Sequence, residues 1–184
     1  MYIGIISMRY AKALFEFASG DGAETLVYKE ALTLRDHFAR LPELVNAVNN
    51  PVITADVKWK LLCEAAGGNV TEQLSRFIRL VLKERRENVL QFMMNSYIDI
   101  YRKKKKISIG TLITAYPVAD EVTERIRKIV TDATRGTLEF ITRVDPELEG
   151  GFIFEIGTYR LNASVADQMR RIKNQFIDKN RRIV

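Results

Sequence analysis

The residues that could support chemistry are few and scattered. His37 is the single histidine of the chain, and on its own it would serve as a general base or a metal ligand. Cys63 is the single cysteine, so it has no partner for an intramolecular disulfide, and it would act as a nucleophile only beside a positioned base. It sits between Leu62 and Glu64 in a helical pattern, which suits a small buried apolar residue better. Zinc needs about four clustered nitrogen, sulfur or oxygen ligands, and the sequence presents no such set. The pairs Gly67-Gly68 and Gly150-Gly151 lack the following Lys-Ser/Thr that completes a phosphate loop. They suit a helix stop and a close backbone approach at a strand instead. Arg102-Lys-Lys-Lys-Lys106 could grip phosphates with Tyr97 and Tyr101 as stacking platforms, or simply form a solvated, cation-rich helix end. No catalytic constellation, cofactor motif or metal set emerges, and the expectation is a protein that is not an enzyme and holds no cofactor.

The elements that would carry these residues fall into two groups. Residues 1–105 show helical periodicity broken by Gly20–Gly22, Pro42, Asn50-Pro51 and Gly67-Gly68. Ser7 suits the N-cap of a first helix with Met8, Ala11, Leu14, Phe15 and Ala18 inward. Asp21 and Glu24 have capping-box spacing ahead of a helix carrying Leu26, Ala31, Leu34 and Phe38. Pro42 opens a short helix through Leu44 and Val48. Thr54 precedes one with Val57, Leu61 and Leu62, and Thr71 one with Leu74, Phe77, Ile78 and Val81. A last helix runs from Asn88 to the lysine run. From Lys106 the period changes to two. Strands are expected at Ile107–Ile113, Leu138–Val144 and Phe152–Ile156, a helix over 119–133 with Val122, Ile126, Ile129 and Val130 on one face, and a final helix capped by Ser164. The fold class is therefore α plus α/β: an N-terminal six-helix bundle over residues 1–105, followed by a small β-α-β-β-α domain over 106–184.

Composition narrows the function classes. Hydrophobic residues make up 47% and charged residues 28%, enough apolar material for a real core. The net charge of +6 divides into +4 (16 basic, 12 acidic) for residues 1–105 and +2 (13 basic, 11 acidic) for 106–184. A nucleic-acid binder concentrates its excess on one face, so that reading ranks behind a protein-binding one. No apolar run is long enough to span a membrane, so membrane contact is expected only through partners.

Several ordered segments resemble the delta subunit of F-type ATP synthases, the family of the mitochondrial oligomycin-sensitivity-conferring subunit. They are Met8-Arg-Tyr-Ala-Lys-Ala-Leu-Phe-Glu-Phe-Ala18, Asn50-Pro51-Val52-Ile53 with Lys58, and Lys83-Glu84-Arg85-Arg86 with Leu90. Thr114-Ala115-Tyr116-Pro117, Val144-Asp-Pro-Glu-Leu-Glu-Gly-Gly-Phe152 and Ser164-Val165 continue the series. Departures are Asn162, where the family usually has aspartate, and Val118-Ala119 in place of Leu-Ser. With no transit peptide ahead of the match, a bacterial protein is expected over a mitochondrial one.

The resemblance implies a non-catalytic stator component of the peripheral stalk. Its helical domain would hold the N-terminal helices of the alpha subunits, and its C-terminal domain would engage the b subunits of the stalk. The chain would lie on the cytoplasmic side of the bacterial plasma membrane. A helix-in-groove contact needs apolar anchors left over from the core. Tyr10, Ala13 and Phe17 recur at i, i+3 and i+7 beside the Leu14–Ala18 stripe, and Phe77 and Leu80 form a second such stripe. In the family this groove lies between helices one and five, and by motif position Tyr10, Ala13 and Leu80 map onto it. A basic nucleic-acid-binding protein and a generic helical adaptor are the alternatives.

Overall fold

The computed structural model describes residues 2–118, 123–125, 128 and 137–181. The chain separates into two compact units, residues 1–105 and 106–184.

The first unit is helical: α1 Tyr2–Gly20, α2 Glu24–Arg40, α3 Pro42–Asn49, α4 Ala55–Ala65, α5 Glu72–Lys83 and α6 Leu90–Lys105, with a single 3-10 turn at Glu87–Val89 before α6. Apolar residues spaced by three and four build the interior. They include Ala11, Leu14 and Ala18 on α1, Val27, Ala31 and Leu34 on α2, Leu74, Ile78 and Val81 on α5, and Leu90, Met93, Met94 and Tyr97 on α6. α6 is the central staple, packed against both α1 and α2. Tyr97 lies fully inside and donates its hydroxyl to the Glu24 carbonyl at 3.1 Å. The burial also pushes its phenol up. Pro42 occupies the first turn of α3, and Thr71 Oγ1 caps α5 by accepting from the Leu74 amide at 3.4 Å.

Several sequence expectations shift here. Ser7 does not cap α1. It is buried within the helix, and its Oγ donates to the Ile3 carbonyl at 2.8 Å. The hydroxyl is satisfied by back-bonding one turn, so the helix begins at Tyr2. The Asp21–Glu24 box does not form: Ala23 is the N-cap of α2, Asp21 accepts from Gln73 at 2.8 Å, and Glu24 pairs with Lys105. Thr54 precedes α4 without a side-chain cap. Met8, Leu26 and Val57 all face outward, each one residue out of phase with the buried stripe of its helix. On α4 the inward position next to Val57 is taken by Lys58, which is buried against Glu87.

The second unit is built on a four-stranded sheet in the order β2-β1-β3-β4, with β1 Ile107–Thr114, β2 Thr137–Val144, β3 Gly151–Ile156 and β4 Tyr159–Ser164. β1 and β2 pair in parallel, and β3 is antiparallel to both β1 and β4. Leu112 and Phe154 form the buried centre with Phe152 and Ile156 packed against them. The expected β-α-β-β-α order thus gains a strand. β4 follows a two-residue turn at Gly157-Thr158, and its apolar Tyr159 and Leu161 alternate with Arg160 and Asn162 but stay exposed, so the alternation marks no inward face. The final helix, α7, spans Val165–Arg181. Ser164 Oγ accepts from the Asp167 amide at 3.3 Å, and Asn162 Oδ1 accepts from the Ser164 amide at 3.0 Å. Asparagine therefore does at position 162 the acceptor work that aspartate would do. Gly151 sits at φ 82, and a Cβ there would lie 2.4 Å from the Ala163 carbonyl oxygen, so β3 and β4 approach closely only because this residue is glycine. Residues 123–125 and 128 are helical. The rest of the expected 119–133 helix, including its face of Val122, Ile126, Ile129 and Val130, lies outside the described residues.

A candidate partner-binding groove

The residues with chemical potential are occupied structurally. His37 Nδ1 lies 2.6 Å from the Ala65 carbonyl oxygen, tying α2 to the end of α4. Cys63 is buried, and its burial pushes the thiol up, away from the reactive thiolate. Among the described residues no group of three or more His, Cys, Asp and Glu could hold a metal ion.

The lysine run is only partly solvated. Arg102 Nε donates to the Tyr28 hydroxyl at 3.0 Å, and Lys105 Nζ lies 3.0 Å from Glu24 Oε1. That hydrogen bond holds the Glu24 carboxyl below its usual range. Tyr101 is buried, stacked on Tyr28 with centroids 4.1 Å apart, and Tyr97 is fully enclosed. Neither tyrosine is free to stack a base, so the phosphate-gripping arrangement does not assemble.

A different feature does assemble. Along α1 and α5 an open groove of about 420 Å³ is lined by Arg9, Tyr10, Ala13, Leu14, Phe17, Arg76, Phe77 and Leu80. The two stripes expected from spacing, Tyr10-Ala13-Phe17 and Phe77-Leu80, meet across it. Tyr10 contacts Phe77 edge-on, with ring centroids 6.3 Å apart and planes inclined 74°. Phe77 is only 6% exposed and forms floor and core together, whereas Phe17 is 40% and Leu80 48% exposed. Ala13 is also exposed, which leaves the groove room at its centre. Apolar side chains left open in this way leave water only against a second apolar surface.

Sequence reasoning missed Arg9, Leu14 and Arg76 as lining residues, and Arg86, whose guanidinium stands 5.4 Å from the Tyr10 ring centroid. A signal existed for two of them: Arg9 is one turn before Ala13, and Arg76 one turn before Leu80.

Helices and a small mixed sheet in two compact units, with an open apolar groove along α1 and α5, define a two-part α plus α/β protein. Comparison with known proteins narrows the class. The family model described as ATP synthase delta (OSCP) subunit matches residues 6–176, and the chain belongs to that family of peripheral-stalk subunits. It is 63% identical over the full length of both chains to the ATP synthase subunit delta of Phocaeicola vulgatus. It is 50% identical, again over both full lengths, to that of Bacteroides fragilis strain YCH46. The resemblance extends to Prochlorococcus marinus strain AS9601, whose subunit delta is 29% identical over 91% of this chain and 93% of its own. Among solved structures, a chain of the Toxoplasma gondii mitochondrial ATP synthase hexamer shares the fold with a TM-score of 0.67. It covers 93% of this chain and 97% of its own at 18% identity. No helix among the described residues is long and apolar enough to cross a membrane.

Proposed function

We propose that this chain is a structural, non-catalytic coupling subunit that ties the catalytic head of an ATP synthase to its stalk. The helical unit, residues 1–105, seats the N-terminal helices of the alpha subunits in the α1–α5 groove, with Tyr10, Ala13, Phe17, Phe77 and Leu80 as the contact surface. The second unit, residues 106–184, engages the b subunits. The head is thereby held still while proton flow turns the rotor. The chain sits on the cytoplasmic side of a bacterial plasma membrane and touches the membrane only through the complex.

The observation that carries this reading is the groove itself: an open, mainly apolar channel between α1 and α5, in a chain whose residues 6–176 match the delta family. The alternatives draw less support. The tyrosines that nucleic acid would need are enclosed in the helical core.

The test is calorimetric titration of the full chain with a peptide of the alpha-subunit N-terminus from the same organism. Saturable binding is expected. Ala13→Asp should weaken it about thirtyfold, because a carboxylate desolvated beneath the docked helix costs about 2 kcal/mol. Ala13 is exposed in the free chain, so the variant should fold normally by circular dichroism. Absence of binding by the wild-type chain, or undiminished affinity in the folded variant, would count against the assignment.

A further inference from the structure

The groove has two unlike ends. Its direction is set by contacts across it: Tyr10 meets Phe77 towards one end, and the Asp21 carboxylate accepts from Gln73 at the other. α1 and α5 therefore run antiparallel along the channel, over about 16 Å at the α-helical rise. At the Asp21 end the balance is not positive: the lining cation there is paired, and the Asp21 carboxylate is met by a neutral amide. Arg76 is ion-paired to Glu72 on its own helix, and Asp21 is bonded to Gln73. Further along α1, Lys12 lies 3.8 Å from Glu16.

The Tyr10 end carries a different balance. Arg9 lines the wall, and Arg86 lies over the Tyr10 ring. Among the described residues neither guanidinium has a carboxylate within ion-pairing distance, whereas Lys12, Arg35, Arg76 and Lys105 of this unit do. A helix laid into the channel removes water from this end. Two guanidinium groups covered without counter-ions would oppose docking, whereas carboxylates brought by the partner would offset the lost hydration and steer the encounter.

The geometry points to a specific occupant: an amphipathic helix with an acidic end, which docks in one direction with its carboxylates against Arg9 and Arg86. This rests on the reading of the groove as a helix seat and adds the chemistry and polarity of the helix that fits it. The apolar floor supplies affinity, and the unpaired arginines supply direction.

The experiment uses the full chain and the alpha-subunit N-terminal peptide, with a nitroxide label placed at one peptide terminus or the other. Arg9→Glu and Arg86→Glu are made singly and together, with circular dichroism confirming the fold. Affinity for the wild-type chain should fall with added salt. The double reversal should weaken binding about tenfold and remove most of the salt dependence, as expected for a few partly exposed charge pairs. The label at the acidic terminus should broaden the amide signals around Tyr10 and spare those around Asp21. A peptide that binds without carboxylates, unchanged affinity in the folded reversal variants, or broadening at the Asp21 end would overturn the inference while leaving the helix seat intact. No binding by the wild-type chain would overturn both.

Discussion

Replacing Lys58 with Met tests whether the buried ion pair of the helical unit is a structural requirement. Lys58 Nζ lies 2.7 Å from Glu87 Oε1, with the two side chains 5% and 18% exposed, and it joins α4 to the turn before α6. Burial alone pushes the Glu87 carboxyl up. The hydrogen bond from Lys58, a backbone hydrogen bond and the charges of Lys58 and Arg85 together outweigh burial and hold it below the usual carboxylate range. Removing the cation takes away two of the four influences that lower the value and leaves burial, the largest influence, to push it up. Glu87 Oε2 is already buried without a partner, and Oε1 would lose its own.

Breaking one side of a buried pair costs roughly 3–5 kcal/mol. The pair borders an open cavity of about 340 Å³ that admits water, so the lower figure, about 3 kcal/mol at pH 7, is expected. Adding Glu87→Gln removes the stranded charge and should restore about 2 kcal/mol. The pH dependence has a definite sign. In the wild type the depressed Glu87 value contributes stability that is present above its unfolded value and lost as pH falls through the folded one. In Lys58→Met the folded value rises above the unfolded one, so the penalty is greatest at neutral pH and shrinks as acid protonates the carboxyl.

Urea unfolding followed by fluorescence provides the assay. Trp59, the single tryptophan, adjoins Lys58 and lies under the Arg79 guanidinium at 4.3 Å, so it reports on this unit. A deficit below about 1 kcal/mol at pH 7 would refute the reasoning. So would a deficit that persists in acid, or a double variant no more stable than the single one.

Two further outcomes are expected. Gly151→Ala forces a Cβ to within 2.4 Å of the Ala163 carbonyl oxygen and 2.9 Å of the Ser164 Cα, both backbone atoms, at a φ of 82. It should cost about 3 kcal/mol and speed amide hydrogen exchange along β3 and β4, and wild-type protection there would contradict the close approach. Cys63 should react with a disulfide reagent about a hundredfold more slowly in the native chain than in urea, because burial both shields the thiol and pushes its ionisation up. Equal rates would place it at the surface.

Much of the fold was legible from spacing alone. The helix breaks at Gly22, Pro42, Pro51 and Gly67-Gly68 needed no tertiary information, because each removes a helical conformation or a donor locally. The two apolar stripes on α1 and α5 were also visible as periodicity. β4 was not, because an edge strand exposing Tyr159 and Leu161 carries little inward pattern. Ser7 misled for a related reason: a hydroxyl that caps one helix can back-bond inside another, and only the residues before it decide which.

The sequence by itself determined where most helices are interrupted, the period of most elements, and through its ordered motifs the family of the chain. These are local properties of backbone preference and side-chain period. The tertiary structure alone decided which apolar residues the core would leave over. Burial belongs to pairs of faces, so Phe77 went inward while Phe17 and Leu80 stayed open to form a groove. It also decided the fate of charges distant in sequence, pairing Lys58 with Glu87 across 29 positions and, among the described residues, leaving Arg9 and Arg86 without a carboxylate in ion-pairing distance at one end of the channel. Electrostatic partnership depends on distance in space and on exclusion of water, and the chain acquires both only when it packs.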